Sequence, residues 1–114
     1  MAADSMAAAL VVVEEFCEER IPPDLRDRVR LEARRRGNAI TIVERRVPWN
    51  PDFGPDWTSS DVAQLRLDSL SETWTLHWKR ADGRWYASEE PPPTRDVAAL
   101  LAEIDTDRNG VFWG

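Results

Sequence analysis

The feature that most restricts this chain is a change of period at Asn38. From there to Ser88 the apolar residues alternate with polar ones, and Gly, Pro and Asp clusters punctuate the run. "AITIVERRV" reads as one strand, with Ile40 and Ile42 on one side and Thr41 and Val43 on the other. "VAQLRLD" reads as a second, with Ala63, Leu65 and Leu67 toward a core and Gln64 and Arg66 opposite. "TWTLHWK" reads as a third, with Trp74, Leu76 and Trp78 toward the core and Thr75, His77 and Lys79 opposite. "RWYAS" reads as a fourth, joined to the third by the hairpin signal Asp82-Gly83. A two-residue loop there sets Trp85 beside Trp78; a three-residue loop with Gly83 in a bulge sets it beside His77 and Lys79.

Helical spacing flanks this run. Met6, Leu10, Val13 and Cys17 place a helix over residues 5–19, whose acidic end (Glu14, Glu15, Glu18, Glu19) calls for a basic neighbour. After "IPPD", the segment 23–36 reads as a second helix, with a stripe of Leu25, Val29 and Ala33 and Gly37 just past its end. Thr94 is placed as the cap of a third, showing Val97, Leu100, Leu101 and Ile104 at i, i+3, i+4, i+7. The expected fold is therefore α+β: two N-terminal helices, a four-stranded antiparallel meander sheet and a C-terminal helix. One sheet face is covered and the other more open. The 114 residues suit a single domain spanning 1–114, with 1–4 frayed.

Charge narrows the function. The formal total of −6 argues against a general affinity for nucleic acid or anionic lipid, and no apolar run approaches the roughly 20 residues that span a bilayer. The distribution is uneven, because residues 20–46 carry nine arginines against four acids while residues 47–114 carry twelve acids against six bases. A lone cysteine suits a reducing cytoplasm, and its acidic surroundings leave Cys17 inert. One His and one Cys make no zinc site. "DTDRNG" matches the start of an EF-hand loop, but the chain ends before the required Glu, and the fragment reads instead as a helix C-terminal turn. His77 has no Ser and Asp partner set. No catalytic residue, metal or cofactor is assigned.

The candidate site is the long loop 49–60 where it meets the open sheet face. Trp49 and Trp57 supply apolar contact there, or alternatively pin the loop to the sheet. Arg45, Arg46 and Arg66, with His77, supply a small cationic patch for a carboxylate or phosphate. The simpler fate of Arg45 and Arg46, which point to opposite faces, is pairing with the twelve C-terminal acids. The favoured reading is a non-catalytic interaction or small-ligand-binding module, its partner an unidentified protein or a small anion. A homodimer through the open face or an exposed edge is compatible with it. The alternative is a nucleic-acid-associated protein using the arginines of 20–46, and an enzyme of unspecified type ranks third.

The segment "FCEERIPPDLRDRVRLEARRRGNAITIVERRVPW", followed by "VAQLRL", "WTLHW", "DGRWY" and the terminal "FWG", resembles the bacterial domain-of-unknown-function 3024 family over nearly the whole chain. The resemblance implies a small single domain and assigns no catalytic or ligand residues. It implies that Glu44, Arg46, Pro48, Trp49, Trp74, Trp78, Trp85 and Trp113 are defining positions. The chain departs from the pattern at Val47, where a second proline is common, at His77, where Tyr is frequent, and at Tyr86, where His is frequent. A special role for His77 is weakened accordingly.

Overall fold

A computed structural model describes residues 2–48, 52, 54, 56–107 and 110–113. The chain runs through α1 (Ala2–Arg20), a 3₁₀ turn (Pro23–Leu25), β1 (Val29–Arg36), β2 (Ala39–Arg46), β3 (Thr58–Asp68), β4 (Thr73–Lys79), β5 (Trp85–Ala87) and α2 (Val97–Thr106). The five strands form one antiparallel meander in the order β1-β2-β3-β4-β5. None of the described helices is long and apolar enough to cross a membrane.

The α+β class and the meander hold, but the expected element count does not. There is one N-terminal helix rather than two, and the sheet has five strands rather than four. The segment 29–36 carries both patterns at once. Its helical stripe needs Leu25, which is 41% exposed, whereas its alternation needs Leu31, which is buried. Pairing decides between them. β1 lies against β2 from Val29↔Arg46 to Arg36↔Ala39, closing a two-residue Gly37-Asn38 loop in which Gly37 has φ 60°. The left-handed glycine expected to end a helix instead turns a hairpin.

Among the described residues, all buried apolar ones but Val43 belong to a single cluster between the helices and one sheet face. Met6, Val13 and Cys17 of α1 and Leu100, Leu101 and Ile104 of α2 meet Ile40, Ile42, Leu65, Trp74 and Leu76 there. Opposite residues on antiparallel strands share a face, so the register Ala33↔Ile42↔Ala63 and Arg35↔Ile40↔Leu65↔Leu76 identifies the covered side. A bulge sets Val43 against Asp61 directly after Ile42 against Ala63, so the extra residue Val62 also enters the core. Trp74, at 2% exposure, and Trp78 pack toward the core as their alternation requires.

Two local devices fasten the ends. Backbone bonds between Trp74 and Thr94 (2.6 and 3.1 Å) tie the chain to β4 before α2 begins. The α2 cap is Asp96, whose Oδ1 accepts the Ala98 N–H at 3.0 Å. Thr94, expected in that role, accepts from the Asp96 N–H instead. At the other end Asp107 is left-handed (φ 47°), and its carboxylate accepts backbone N–H groups from Val111, Phe112 and Trp113 at 2.9–3.1 Å. The aspartate of the EF-hand-like fragment thus serves as a backbone cap. Trp113 then donates its indole N–H to the Ile104 carbonyl (2.7 Å) beneath the Arg20 guanidinium. Arg26 answers the acids of α1, pairing with the Glu18 carboxylate and donating to its carbonyl.

Asp107→Ala removes one acceptor from three backbone donors. It should lower the unfolding free energy by about 2 kcal/mol, read by urea unfolding, and shift the Trp113 emission. An unchanged midpoint would show that the tail is held by packing alone.

Candidate functional site

The sheet face away from the helices collects Arg30, Arg34 and Arg36 from β1, Arg45 from β2, Arg66 from β3 and Lys79 from β4. The acids there are Glu32, Asp61 and Asp68, and the Asp68 carboxylate already accepts the Leu70 and Ser71 N–H groups. Six cations thus face three acids on one side of a chain whose total is −6.

The cations fall into two groups. At one end Arg30 stands directly opposite Arg45. The Arg30 guanidinium lies over the Trp57 ring at 4.8 Å, its Nε donating to the Arg26 carbonyl at 2.8 Å. Glu32 holds both Arg34 (3.0 Å) and Arg45 (3.5 Å), and the Arg45 Nε is buried without a hydrogen-bond partner among the described residues. Beside them Lys79 pairs with Asp61 at 2.7 Å and sits 5.4 Å over the Trp85 ring. At the far end Arg66 donates to Gln64 (2.7 Å), which donates to Thr41 (3.0 Å). Arg30, Arg36 and Arg66 have no carboxylate partner among the described residues.

The site expected from sequence is therefore split. Arg45 and Trp57 belong to one end of the open face and Arg66 to the other, about six residues of strand or roughly 20 Å away, with His77 between them at the level of Thr41. Arg46 is on the opposite side, and its Nε donates to Glu44 at 2.7 Å, which raises its pKa. Both strand-end arginines find acids in the N-terminal half, not among the C-terminal ones. Trp49 lies outside the described residues. The helix expected over 23–36 does not bring Arg30, Arg34 and Arg36 to one face, and the signal for their placement is the alternation in "VRLEARRR" followed by Gly-Asn.

Trp85 joins the open face through the turn before it. Arg80 and Arg84 exchange a backbone bond around a three-residue loop with Gly83 at φ 80°, which pairs Lys79 with Trp85 and Trp78 with Tyr86. The Asp82 carboxylate accepts the Arg84 N–H and the Tyr86 hydroxyl, holding that register.

A cleft of about 560 Å³ opens between α1 and β1. Its lining balances three glutamates (Glu14, Glu18, Glu32) against Arg26, Arg30 and Arg34, so it selects no sign of charge. Burial and the neighbouring Glu14 and Glu32 push the Cys17 thiol inside it up to about 12, which leaves no thiolate for nucleophilic work.

His77 is buried on the open face, bonded through Nε2 to the Thr75 hydroxyl at 2.9 Å. Burial first, and the Arg66 charge second, lower its pKa to about 4. The unfolded chain then binds the proton more readily than the native one. The resulting stability is complete above the ordinary histidine range near 6.5 and is lost as pH falls toward 4. Since His77 is the only histidine, its ring resonances in an NMR titration report this directly. A midpoint near 4 is expected, and one near 6.5 would contradict the buried, neutral assignment.

No curated protein matches the chain, and no solved structure matches it. The model of a family described as a domain of unknown function, DUF3024, matches residues 4–114. With nearly every residue from α1 through the Trp113 anchor inside that match, the chain belongs to the DUF3024 family.

Proposed function

We propose that the protein is a non-catalytic binding module that takes an anionic ligand on the open face of its sheet. The observation that carries this reading is charge segregation. With six cations and three acids on that face, the rest of the chain carries −9. Net charge averages over the molecule, but a ligand responds to the nearby field, which salt screens over about 8 Å at physiological strength.

Two costs support a ligand over a merely solvated face. Arg30 opposite Arg45 is a like-charge cross-strand pair, which weakens a sheet. Among the described residues the Arg45 Nε is a buried donor without an acceptor, as is the Arg26 Nε. A ligand oxygen near Arg30 and Arg45 offsets the repulsion and supplies the missing acceptor once Arg45 turns toward it. The neutral His77 and protonated Cys17 give no support to an enzymatic reading. A cytoplasmic location, which suits a single unpaired cysteine, goes with this reading.

Short-chain inorganic polyphosphate is a suitable probe. Calorimetric titration at low salt should show binding that weakens as salt rises. The double variant Arg45→Glu/Arg66→Glu should lose about tenfold or more in affinity. Arg95→Glu, outside the strands, should stay near the parent value. Absence of binding at low salt, or equal loss from Arg95→Glu, would overturn the proposal.

A further inference from the structure

We infer that the ligand of the open face is a single-stranded nucleic acid, laid across the strands between Trp57 and Trp85 with little preference for sequence. This rests on the anion-binding reading above and adds what that reading leaves unexplained, the two tryptophans. Each is half-buried, and each carries a cation over its ring: Arg30 on Trp57 at 4.8 Å, Lys79 on Trp85 at 5.4 Å.

On the same face the cations follow one another across the sheet. Arg30 faces Arg45, the Asp61–Lys79 ion pair comes next, and Lys79 faces Trp85. Trp57 directly precedes β3 and Trp85 opens β5, two inter-strand steps away, roughly 10 Å across the sheet at about 4.8 Å each. Two aromatic rings on one face, each with cations beside it, suit bases and phosphates alternating along one strand. A duplex keeps its bases stacked inside and offers only its backbone, and an acidic peptide brings carboxylates but few flat π-faces. Antiparallel sheets with aromatic open faces bind single strands by such stacking.

Sequence preference is low because the face's polar groups are already engaged with one another. Thr41, Gln64 and Arg66 form one chain of hydrogen bonds, and Thr75 and His77 form another pair. The acidic total, which counts against nucleic acid in the sequence, loses its force where the acids lie away from this face. Glu32 is the internal competitor, because its carboxylate occupies Arg34 and Arg45, which would otherwise meet phosphate.

The test uses the full chain with fluorescein-labelled oligothymidine, a duplex of equal length and inorganic polyphosphate. Oligothymidine should bind more tightly than the duplex and quench tryptophan emission. Trp57→Ala and Trp85→Ala should each weaken oligothymidine binding about fivefold or more and leave polyphosphate binding nearly unchanged. Trp57→Phe and Trp85→Phe should retain most of the affinity, which separates stacking from loss of fold. Glu32→Gln should tighten binding, an outcome that damage to the structure cannot produce. If polyphosphate binds but oligothymidine does not, or if the alanine variants bind oligothymidine like the parent, this inference falls and anion binding stands. If neither probe binds, both fall.

Discussion

A five-stranded sheet has two faces, and this chain supplies helices for only one of them. α1 and α2 deliver Met6, Val13, Cys17, Leu100, Leu101 and Ile104 to the same side, where Ile40, Ile42, Leu65, Trp74 and Leu76 receive them. Burial of that apolar area is the dominant favourable term in folding. The other face receives no helix and has to be made compatible with water by its own side chains. Val43, at 1% exposure, and His77 are nevertheless buried on it. Among the described residues, Trp57, Trp85 and long polar side chains share this face, and arginine and lysine help cover it by laying their stems over apolar surface while the charge stays outside.

This one-sidedness is also what sorts the charge. In a strand every second residue faces the same way, so "VRLEARRR" sends Arg30, Arg34 and Arg36 to the open side as soon as Leu31 and Ala33 turn inward. Arg45 joins them because Ile40 and Ile42 fix the phase of β2. A solvated face needs polarity but not a single sign. Mixed charges would cover Val43 equally well without setting Arg30 against Arg45. The excess of cations is therefore not accounted for by the demands of folding.

The periodicity was legible wherever one reading of it was available. β2, β3 and β4 follow from alternation, α1 and α2 from helical spacing, and the inward set Trp74, Leu76 and Trp78 from both alternation and bulk. β1 was ambiguous in local pattern, because Val29 and Ala33 fit a helical stripe as well as the alternation that Leu31 completes. The tie is broken by a non-local fact, the ladder that β1 makes with β2. Misplacing β1 hid half of the open-face cations, and the residues read from sequence included Arg46, which pairs with Glu44 on the covered side. The C-terminal turn at "DTDRNG" was legible from the missing EF-hand Glu, but not that the Asp107 carboxylate would hold three backbone N–H groups of the tail.

The placement of Trp85 shows how little separates core from site in such a sheet. A loop shorter by one residue between β4 and β5 would pair Arg80 with Trp85 and turn the indole toward Trp78, inside. The Arg80–Arg84 backbone bond, Gly83 at φ 80° and the Asp82 carboxylate holding Arg84 and Tyr86 together select the longer loop. Tyr86 then takes the inner position, its ring 5.8 Å from Trp78 and under the Arg80 guanidinium, while the larger indole goes to the polar side. Hydrophobic burial alone would choose the opposite exchange, because Trp buries more apolar surface than Tyr. Local turn chemistry overrides it, and a tryptophan is left on the open face, next to Lys79.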